Sequence, residues 1–449
     1  MMPKSEDKLS VFWGEYPLGT LEMTPGGRGF LDFSYCGAWL DSGGPPVSMS
    51  LPLSRERHDP LVSTNFFDNY LPEGEAFGIF HLLKHIPPGD VFRFLYIYGR
   101  ECAGALSVLP FGEAYSESEK AYRDVTDLVT AQLELPARQR KNLIAATDSK
   151  VSLAGAQNKL PVVVDGDRLL VPAERSFAAT THIIKAPSCA LPDLQYNEAF
   201  CMDLVRAGGL SAPESDVMKI GGTDVLIIER YDRYVRDGSV RRLHQEDFCQ
   251  ALGLYSKQKY EQWQGPGFAT CAGLIGRCTD AARAIEEFAR FAVFNLLVGN
   301  GDAHGKNFSV VYEWAQESGA RGKGFRLAPF YDVISTLLYA DRNVDTAMAM
   351  RFGKSYRTDE MNSACFRALA KDLGIDARRF RELAEGMAES IGRCAPKVAE
   401  KHASRFPSVD IYGKLLEIIE KQTAVLCKSL DVMKTPSQSK PNRRNPRPR

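Results

Sequence analysis

The sequence predicts an α+β chain: a small β-rich N-terminal subdomain, then a mixed lobe, then a mostly helical C-terminal lobe. Three observations predict it. Short strand-like runs separated by glycine turns open the chain, from Leu9 to Tyr35. A strand–loop–strand–helix–strand pattern follows, from Leu160 to Ile228. Helical spacing then dominates, with residues 361–430 helical throughout apart from interruptions near Gly374, Gly386 and Pro407.

At 449 residues, 44% hydrophobic and 25% charged, the composition is that of an ordinary soluble protein with core material for two or three domains. We divide it at 1–110, 111–235, 236–433 and a basic tail, 434–449. That tail holds six Lys or Arg, four Pro and no acid, and is expected to be disordered. The 56 basic and 56 acidic residues cancel, so the chain has no general attraction for nucleic acid. Ten scattered cysteines without a C-x-x-C pair read as free thiols of a reducing cytoplasm, not as disulfides or a zinc set. The opening M-M-P-K-S-E-D-K lacks the apolar core of a signal peptide, and no apolar run reaches the roughly 18 residues of a membrane span, so a cytoplasmic protein without a membrane partner is expected.

In the first unit, Leu9 to Trp13 is a strand, Gly14 a hairpin turn and Thr20 to Met23 the return. Gly26, Gly27 and Gly29 turn the chain into Phe30 to Tyr35. Phe66, Phe67, Tyr70 and Leu71 form an apolar stripe at helical spacing, and Pro72 and Gly74 end it. A helical segment is expected from Glu75 to Leu83. His81 and His85 stand four apart with no third ligand, and read with His58 as core-edge or surface residues. The unit shows no catalytic constellation and reads as an accessory or recognition unit, with its boundary in Gly112 to Ala121.

The second unit opens on D-S-K-V-S-L-A-G-A-Q-N-K, before the strand Leu160 to Val164. Small residues at Ala154, Gly155 and Ala156, with Gln157, let backbone N–H groups approach phosphate oxygens, and Lys159 adds an anion contact. An ordinary hairpin loop would look the same, since one glycine makes neither a Walker A loop nor G-x-G-x-x-G. T-H-I-I-K tips the balance. Lys185 ends an apolar strand, where a lysine must reach solvent or pair with an anion. Glu198, read in the first turn of the helix after Asn197, can hold Lys185 toward the α- and β-phosphates of a nucleotide. Val225 to Ile228 is a buried strand, and Glu229 and Tyr231 beyond it can offer backbone groups to an adenine edge. Arg230 and Arg233 read equally well as solvated. Loop, lysine strand, glutamate helix and hinge strand is the order of a kinase small lobe.

In the third unit, L-H-Q-E-D-F-C-Q-A-L reads as a helix start with Glu246 and Asp247 at its positive end, although Gln245 and Asp247 also suit a nucleotide site. Tyr255 to Pro266 is a polar loop beside the cleft. Thr279 and Asp280 cap a helix to Val298, with Ile285, Phe288, Phe291 and Ala292 on its core face. Then comes the densest stretch, G-N-G-D-A-H-G-K-N at 299–307. Its Asp-x-x-x-x-Asn spacing suits a phosphotransferase loop: Asp302 accepts a substrate hydroxyl proton and the Asn307 amide oxygen ligates Mg²⁺. His304 and Lys306 stand beside them. Asp332, in A-P-F-Y-D after the strand-like Phe325 to Ala328, supplies the second metal ligand.

These pieces resemble a known family, the HipA-type serine/threonine kinases, toxins of bacterial type II toxin–antitoxin pairs. The resemblance rests on L-A-G-A-Q-N-K at 153–159, T-H-I-I-K at 181–185, N-E at 197–198, E-R-Y-D-R at 229–233, Q-E-D-F-C-Q at 245–250, G-D-A-H-G-K-N-F-S at 301–309 and Y-D at 331–332. L-P-E-G at 71–74 and C-A-G-A-L at 102–106 are similar to the family's N-terminal subdomain. It implies a two-lobed protein-kinase-like body using ATP and Mg²⁺, with Asp302 as catalytic base, Asn307 and Asp332 as metal ligands and Lys185 on the ATP phosphates. Ser152 falls on the serine that family members autophosphorylate, which ejects the phosphate loop and silences the enzyme. Well-studied relatives phosphorylate glutamyl-tRNA synthetase and arrest growth. The implied partner is a helix-turn-helix, HipB-like antitoxin dimer that binds operator DNA. Asn158 departs from the family's usual Glu beside the phosphate loop. Two other classes share the pattern: a small-molecule kinase of the aminoglycoside or choline type, and a catalytically silent antitoxin-binding corepressor.

Overall fold

The computed structural model describes residues 7–25, 29–73, 78, 84–115, 121–151, 154–155, 157–174, 176–236, 238–314 and 324–434. Ser152, Ala156, His81, Gly26, Gly27 and Gly322 lie outside them. So do most of the expected 75–83 helix, residues 116–120 of the expected boundary and the tail beyond 434.

The N-terminal strands β1 (Lys8–Trp13), β2 (Tyr16–Met23), β3 (Leu31–Tyr35) and β4 (Leu106–Pro110) form an antiparallel sheet in the order β3-β2-β1-β4. Gly14, at φ +57°, takes the left-handed turn between β1 and β2. Alternate residues of β3, Leu31, Phe33 and Tyr35, point into the core. Its outer edge is closed by side chains: the Leu31 N–H donates to Thr64 Oγ1 at 2.8 Å and the Phe33 N–H to Ser63 Oγ at 3.3 Å. Both hydroxyls sit on the helix Pro60–Asp68, whose first turn is capped by Asp59. That helix stops at Asn69, so Tyr70 and Leu71 lie past its end, but both are buried as expected.

The next sheet has six antiparallel strands: β5 (Tyr122–Asp124), β6 (Lys159–Asp165), β7 (Arg168–Pro172), β8 (His182–Lys185), β9 (Ser215–Ile220) and β10 (Thr223–Glu229), in the order β5-β7-β6-β8-β10-β9. Lys159 pairs with Lys185, and Lys185 with Leu226, which brings both lysines to one end of the sheet. The helix Leu194–Ala207 begins earlier than the sequence suggested, because Asp193 takes the left-handed N-cap conformation at φ +58°. Glu198 therefore sits in the second turn, not the first.

A hairpin of β11 (Arg233–Arg236) and β12 (Ser239–Arg242) leads to a third sheet of β13 (Gln245–Asp247), β14 (Ser309–Glu313) and β15 (Gly324–Leu327). The helix expected at Gln245 is thus a strand. All three residues of β13 are buried against β14, and only Phe248–Ala251 is helical. Asp247 and Gln250 form a reciprocal capping box there, which explains the helical signal of Q-E-D-F-C-Q. Glu246 directly precedes that cap, but as a buried residue of β13. It accepts from Ser48 Oγ at 2.5 Å, the Met49 N–H at 3.0 Å and the Tyr312 hydroxyl at 2.5 Å, joining the N-terminal unit to the helical lobe.

Helices Ala281–Val298, Ser363–Asp372, Ala377–Arg405 and Tyr412–Lys434 add much of the remaining core. Asp280 caps the first, and Phe288, Phe291 and Ala292 are buried as its spacing predicts. Gly386 does not interrupt: Ala377–Arg405 runs through it and through Pro396. Phe380, Ala384, Met387 and Ile391 are buried along that face, and their packing outweighs the cost of about 1 kcal/mol of a mid-helix glycine.

Candidate active site

The lysine strand, the Glu198 helix, the 299–307 loop and the segment after β15 converge on one cavity of about 240 Å³. Lys185, at the end of β8, is 7% exposed, and its ammonium donates to Glu198 Oε1 at 2.6 Å. It also donates to Asp332 Oδ1. One cation thus serves two carboxylates. Burial works against the charged ammonium, yet Asp332 and Glu198 together hold it firmly protonated. Burial pushes the Glu198 carboxyl up to about 7 despite Lys185, whereas Lys185 and Lys159 outweigh burial at Asp332 and hold it well below the carboxylate range. Asp332 adopts φ +54°, a left-handed conformation that a non-glycine residue takes at a cost.

Lys159 is buried at the same end of the sheet. Burial lowers its ammonium to about 8, although Asp332 pulls the other way. Gly155 faces it at φ +112°, where a Cβ would lie 2.6 Å from Lys159 Nζ. The Gly155 carbonyl accepts the Glu73 N–H at 3.1 Å, so the loop leans on the N-terminal unit. Asn158, the departure from the family pattern, accepts the Leu143 N–H at 2.8 Å and donates to the Lys141 carbonyl at 3.1 Å. It therefore faces away from the cleft.

In the 299–307 loop, Asn307 Nδ2 donates to the Asp302 carbonyl at 2.7 Å. That bond fixes the amide orientation and leaves Oδ1 as the outward acceptor. Burial raises the Asp302 carboxyl, opposed by a hydrogen bond from the Tyr260 hydroxyl. His304 is buried and kept neutral by desolvation. The Lys306 ammonium is committed: it donates to Asn69 Oδ1 at 2.8 Å and the Asn69 carbonyl at 3.0 Å, with Asp247 Oδ2 at 3.4 Å.

Glu229 ends β10, exposed at the rim. Tyr231 stacks on Tyr331 at 5.5 Å and donates to Gln245 Oε1 at 2.7 Å, so Gln245 and Asp247 do line the cleft. Arg230 and Arg233 are not solvated. Both are buried with Glu101 and Asp232: Arg230 Nη2 lies 2.9 Å from Asp232 Oδ2, and Arg233 Nη2 lies 3.0 Å from Glu101 Oε1. Two guanidiniums and two carboxylates thus balance behind Tyr231, and Glu101 ties them to the N-terminal unit. A separate cavity of about 340 Å³ includes His182, Asp203, Asp216, His402 and Arg405. There Asp203 pairs with Lys401 at 2.9 Å and hydrogen-bonds to His402 at 2.9 Å, and Arg405 pairs with Asp216 at 2.9 Å.

Sequence reasoning missed what the first unit brings. Its sequence shows no catalytic constellation, but Asn69, Tyr70 and Glu73 line the cleft. Glu73 pairs with Lys259 at 2.5 Å. Tyr260 was missed as well. No local pattern marks their place at the cleft, because each partner lies far away in the chain. The Tyr255–Pro266 loop does border the cleft, as expected. With Leu71, Pro72 and Pro88 it encloses a second cavity of about 700 Å³ that shares Glu73 and Lys259 with the first.

A buried strand lysine paired to a helix glutamate, facing an Asp/Asn loop and a second aspartate across a cleft between two lobes, defines a kinase-like protein. A family model described as the HipA-like C-terminal domain matches residues 151–395, and the HipA N-terminal domain model matches 9–109. The chain belongs to the HipA family. It is 36% identical over 403 residues to the putative kinase Y4mE of Sinorhizobium fredii, covering 86% of this chain and 91% of that one. It is 28% identical over 357 residues to the serine/threonine-protein kinase toxin HipA of Shewanella oneidensis, covering 76% and 78%. Its fold matches the solved complex of Shewanella oneidensis HipA with HipB and operator DNA. The TM-score there is 0.77, over 94% of this chain and 97% of that chain, at 24% identity.

Proposed function

We propose that this chain is an ATP-dependent serine/threonine protein kinase acting as a growth-arresting toxin. The observation that carries the reading is the convergence of Lys185, Glu198, Asp302, Asn307 and Asp332 on one cleft. Asp302 takes the proton of an acceptor hydroxyl as the hydroxyl oxygen bonds to the γ-phosphorus, while the bond from that phosphorus to the β,γ-bridging oxygen breaks and ADP leaves. Lys185, held by Glu198, pairs with the α- and β-phosphates, and Lys159 adds a second ammonium. The loop of Ala154, Gly155, Ala156 and Gln157 covers the phosphates with backbone N–H groups. Glu229 and Tyr231 flank the adenine. His304 stays neutral beneath the nucleotide, and Lys306 adds positive potential there while its hydrogen bonds brace the loop against Asn69.

The donor set fits Mg²⁺. Asp332 offers a carboxylate and Asn307 a free amide oxygen. Among the described residues no group of three or more His, Cys, Asp or Glu could hold a metal alone. Mg²⁺ suits such a sparse set, since one or two carboxylates suffice when phosphates complete its shell. Bound there, the cation screens the negative charge that gathers on the phosphoryl oxygens.

The cavity beside the Tyr255–Pro266 loop is the approach for a protein acceptor, for which glutamyl-tRNA synthetase is the first to test. Phosphate on Ser152 would add a charge of about −1.5 to −2 beside ATP and expel the loop, silencing the enzyme. A helix-turn-helix, HipB-like antitoxin dimer is the proposed partner and carries the operator DNA contact, since the chain's own charge sums to zero. Residues 1–110, 111–235 and 236–433 act as N-terminal subdomain, nucleotide lobe and catalytic lobe. Phosphoproteomics after controlled expression, beside an Asp302→Asn control, tests this: phosphosites on a translation component that vanish with Asp302→Asn support it, and identical profiles sink it.

A further inference from the structure

The Asp-x-x-x-x-Asn logic does not call for Tyr260, yet its hydroxyl donates to Asp302 Oδ1. Such a phenol is either a plug in the acceptor's place or a fixed brace, and the backbone around it decides. The Lys259 carbonyl accepts the Gly305 N–H at 2.9 Å, tying the loop to the Asp302 loop. The Tyr260 carbonyl accepts from Trp263 and Gly265, each at 2.9 Å. Next along, the Glu261 N–H donates to the Ala349 carbonyl at 3.2 Å, and its carboxylate holds Arg351 through the backbone N–H at 2.7 Å and the guanidinium at 2.8 Å.

Close packing locks the same frame. A Cβ on Gly265 would sit 2.6 Å from the Tyr260 carbonyl, and one on Gly305 would sit 2.6 Å from Pro266 Cγ. The ring stands edge-on to His304 and to Trp263, each at 4.9 Å between centroids. With the backbone around it tied to the Asp302 loop and to the Ala349–Arg351 segment, and its ring set against His304 and Trp263, the phenol is presented to Asp302 from a fixed frame. The other groups near Asp302 leave its orientation open: His304 Nε2 is 3.9 Å from Oδ1, and Lys259, Asp332 and Glu73 act only through their charge.

We propose that Tyr260 is a positioning residue whose hydroxyl occupies Asp302 Oδ1 and fixes the carboxylate so that Oδ2 faces the acceptor hydroxyl. This rests on the reading of Asp302 as base. A carboxylate free to rotate spends most of its time misaimed, and small misplacements cost about 100-fold in rate.

The test uses the full chain with γ-labelled Mg-ATP and casein, counting label on casein and on the chain itself, for Tyr260→Phe, Tyr260→Leu and Asp302→Asn. Phenylalanine keeps the ring and loses the hydroxyl, whereas leucine loses both. The expected result is a fall in kcat of about tenfold or more in both Tyr260 variants, with KM for ATP within about twofold of wild type and melting of Tyr260→Phe unchanged. Wild-type kcat in Tyr260→Phe with a loss only in Tyr260→Leu would reduce Tyr260 to packing. A faster Tyr260→Phe with lower KM for casein would make it a plug. Either overturns the proposal while an inactive Asp302→Asn keeps the base assignment. Full activity in Asp302→Asn removes the base, and the brace with it.

Discussion

Glu246→Gln should stabilise the protein in alkaline solution and leave it nearly unchanged in acid. Glu246 is fully buried, and desolvation pushes its carboxyl from the usual 4.5 up to about 7, although Ser48, Tyr312 and the Met49 N–H pull it down. Below pH 4.5 the folded and unfolded states both hold the proton, and the residue makes no difference. Between pH 4.5 and 7 the unfolded chain ionises while the folded one keeps its proton, so stability falls as pH rises. The loss is complete once the folded group has ionised above pH 7. The shift of roughly 2.5 pH units corresponds to about 3 kcal/mol, an order-of-magnitude figure.

Glutamine does not titrate. Its carbonyl can still accept from the Met49 N–H and the Tyr312 hydroxyl, and its NH₂ can donate to Ser48 Oγ. Urea unfolding at pH 5 and pH 8 measures the difference. Glu246→Gln should gain about 2–3 kcal/mol over wild type between the two conditions. An equal gap at both pH values would show that Glu246 does not change ionisation on folding, and the argument from burial would fail.

Other outcomes follow from the same geometry. Gly155→Ala forces a Cβ to within 2.6 Å of Lys159 Nζ at a left-handed position, so affinity for a fluorescent ATP analogue should drop about tenfold or more while far-ultraviolet dichroism stays unchanged. Lys185→Met strips Glu198 and Asp332 of their shared cation. Phosphate transfer should fall to background, with a stability loss of about 3 kcal/mol in chemical denaturation that shrinks at low pH as Glu198 takes up a proton. Glu101→Leu leaves Arg230 and Arg233 with one carboxylate between them, and should cost about 3–5 kcal/mol by the same measurement.

The candidate site was legible where its chemistry is local. Asp302 and Asn307 declare themselves by spacing within one loop, and Lys185 by ending an apolar strand. Glu198 was found but placed one turn out, because nothing in the sequence announces the left-handed cap at Asp193. Gln245–Asp247 looked helical since the capping box of Asp247 and Gln250 is a true helix signal, although only Phe248–Ala251 follows it. The contributions of Asn69, Glu73 and Tyr260 could not be read from the chain. Each matters only through a side chain that folding brings from a distant segment. Arg230 and Arg233 posed the same problem, since arginines next to a strand are usually solvated, and only the fold supplies Glu101 from the N-terminal unit.

Phosphate transfer by purified Asp302 and Asp332 variants tests the central claim most directly. Wild type, Asp302→Ala and Asp332→Ala are incubated with γ-labelled Mg-ATP and casein, and folding is checked by melting. Both side chains face the cleft, with 42% and 38% of their surface exposed, so their removal should spare the fold. The predicted result is label incorporation by wild type and none above background in either folded variant. Near-wild-type transfer by folded Asp302→Ala or folded Asp332→Ala would contradict the account.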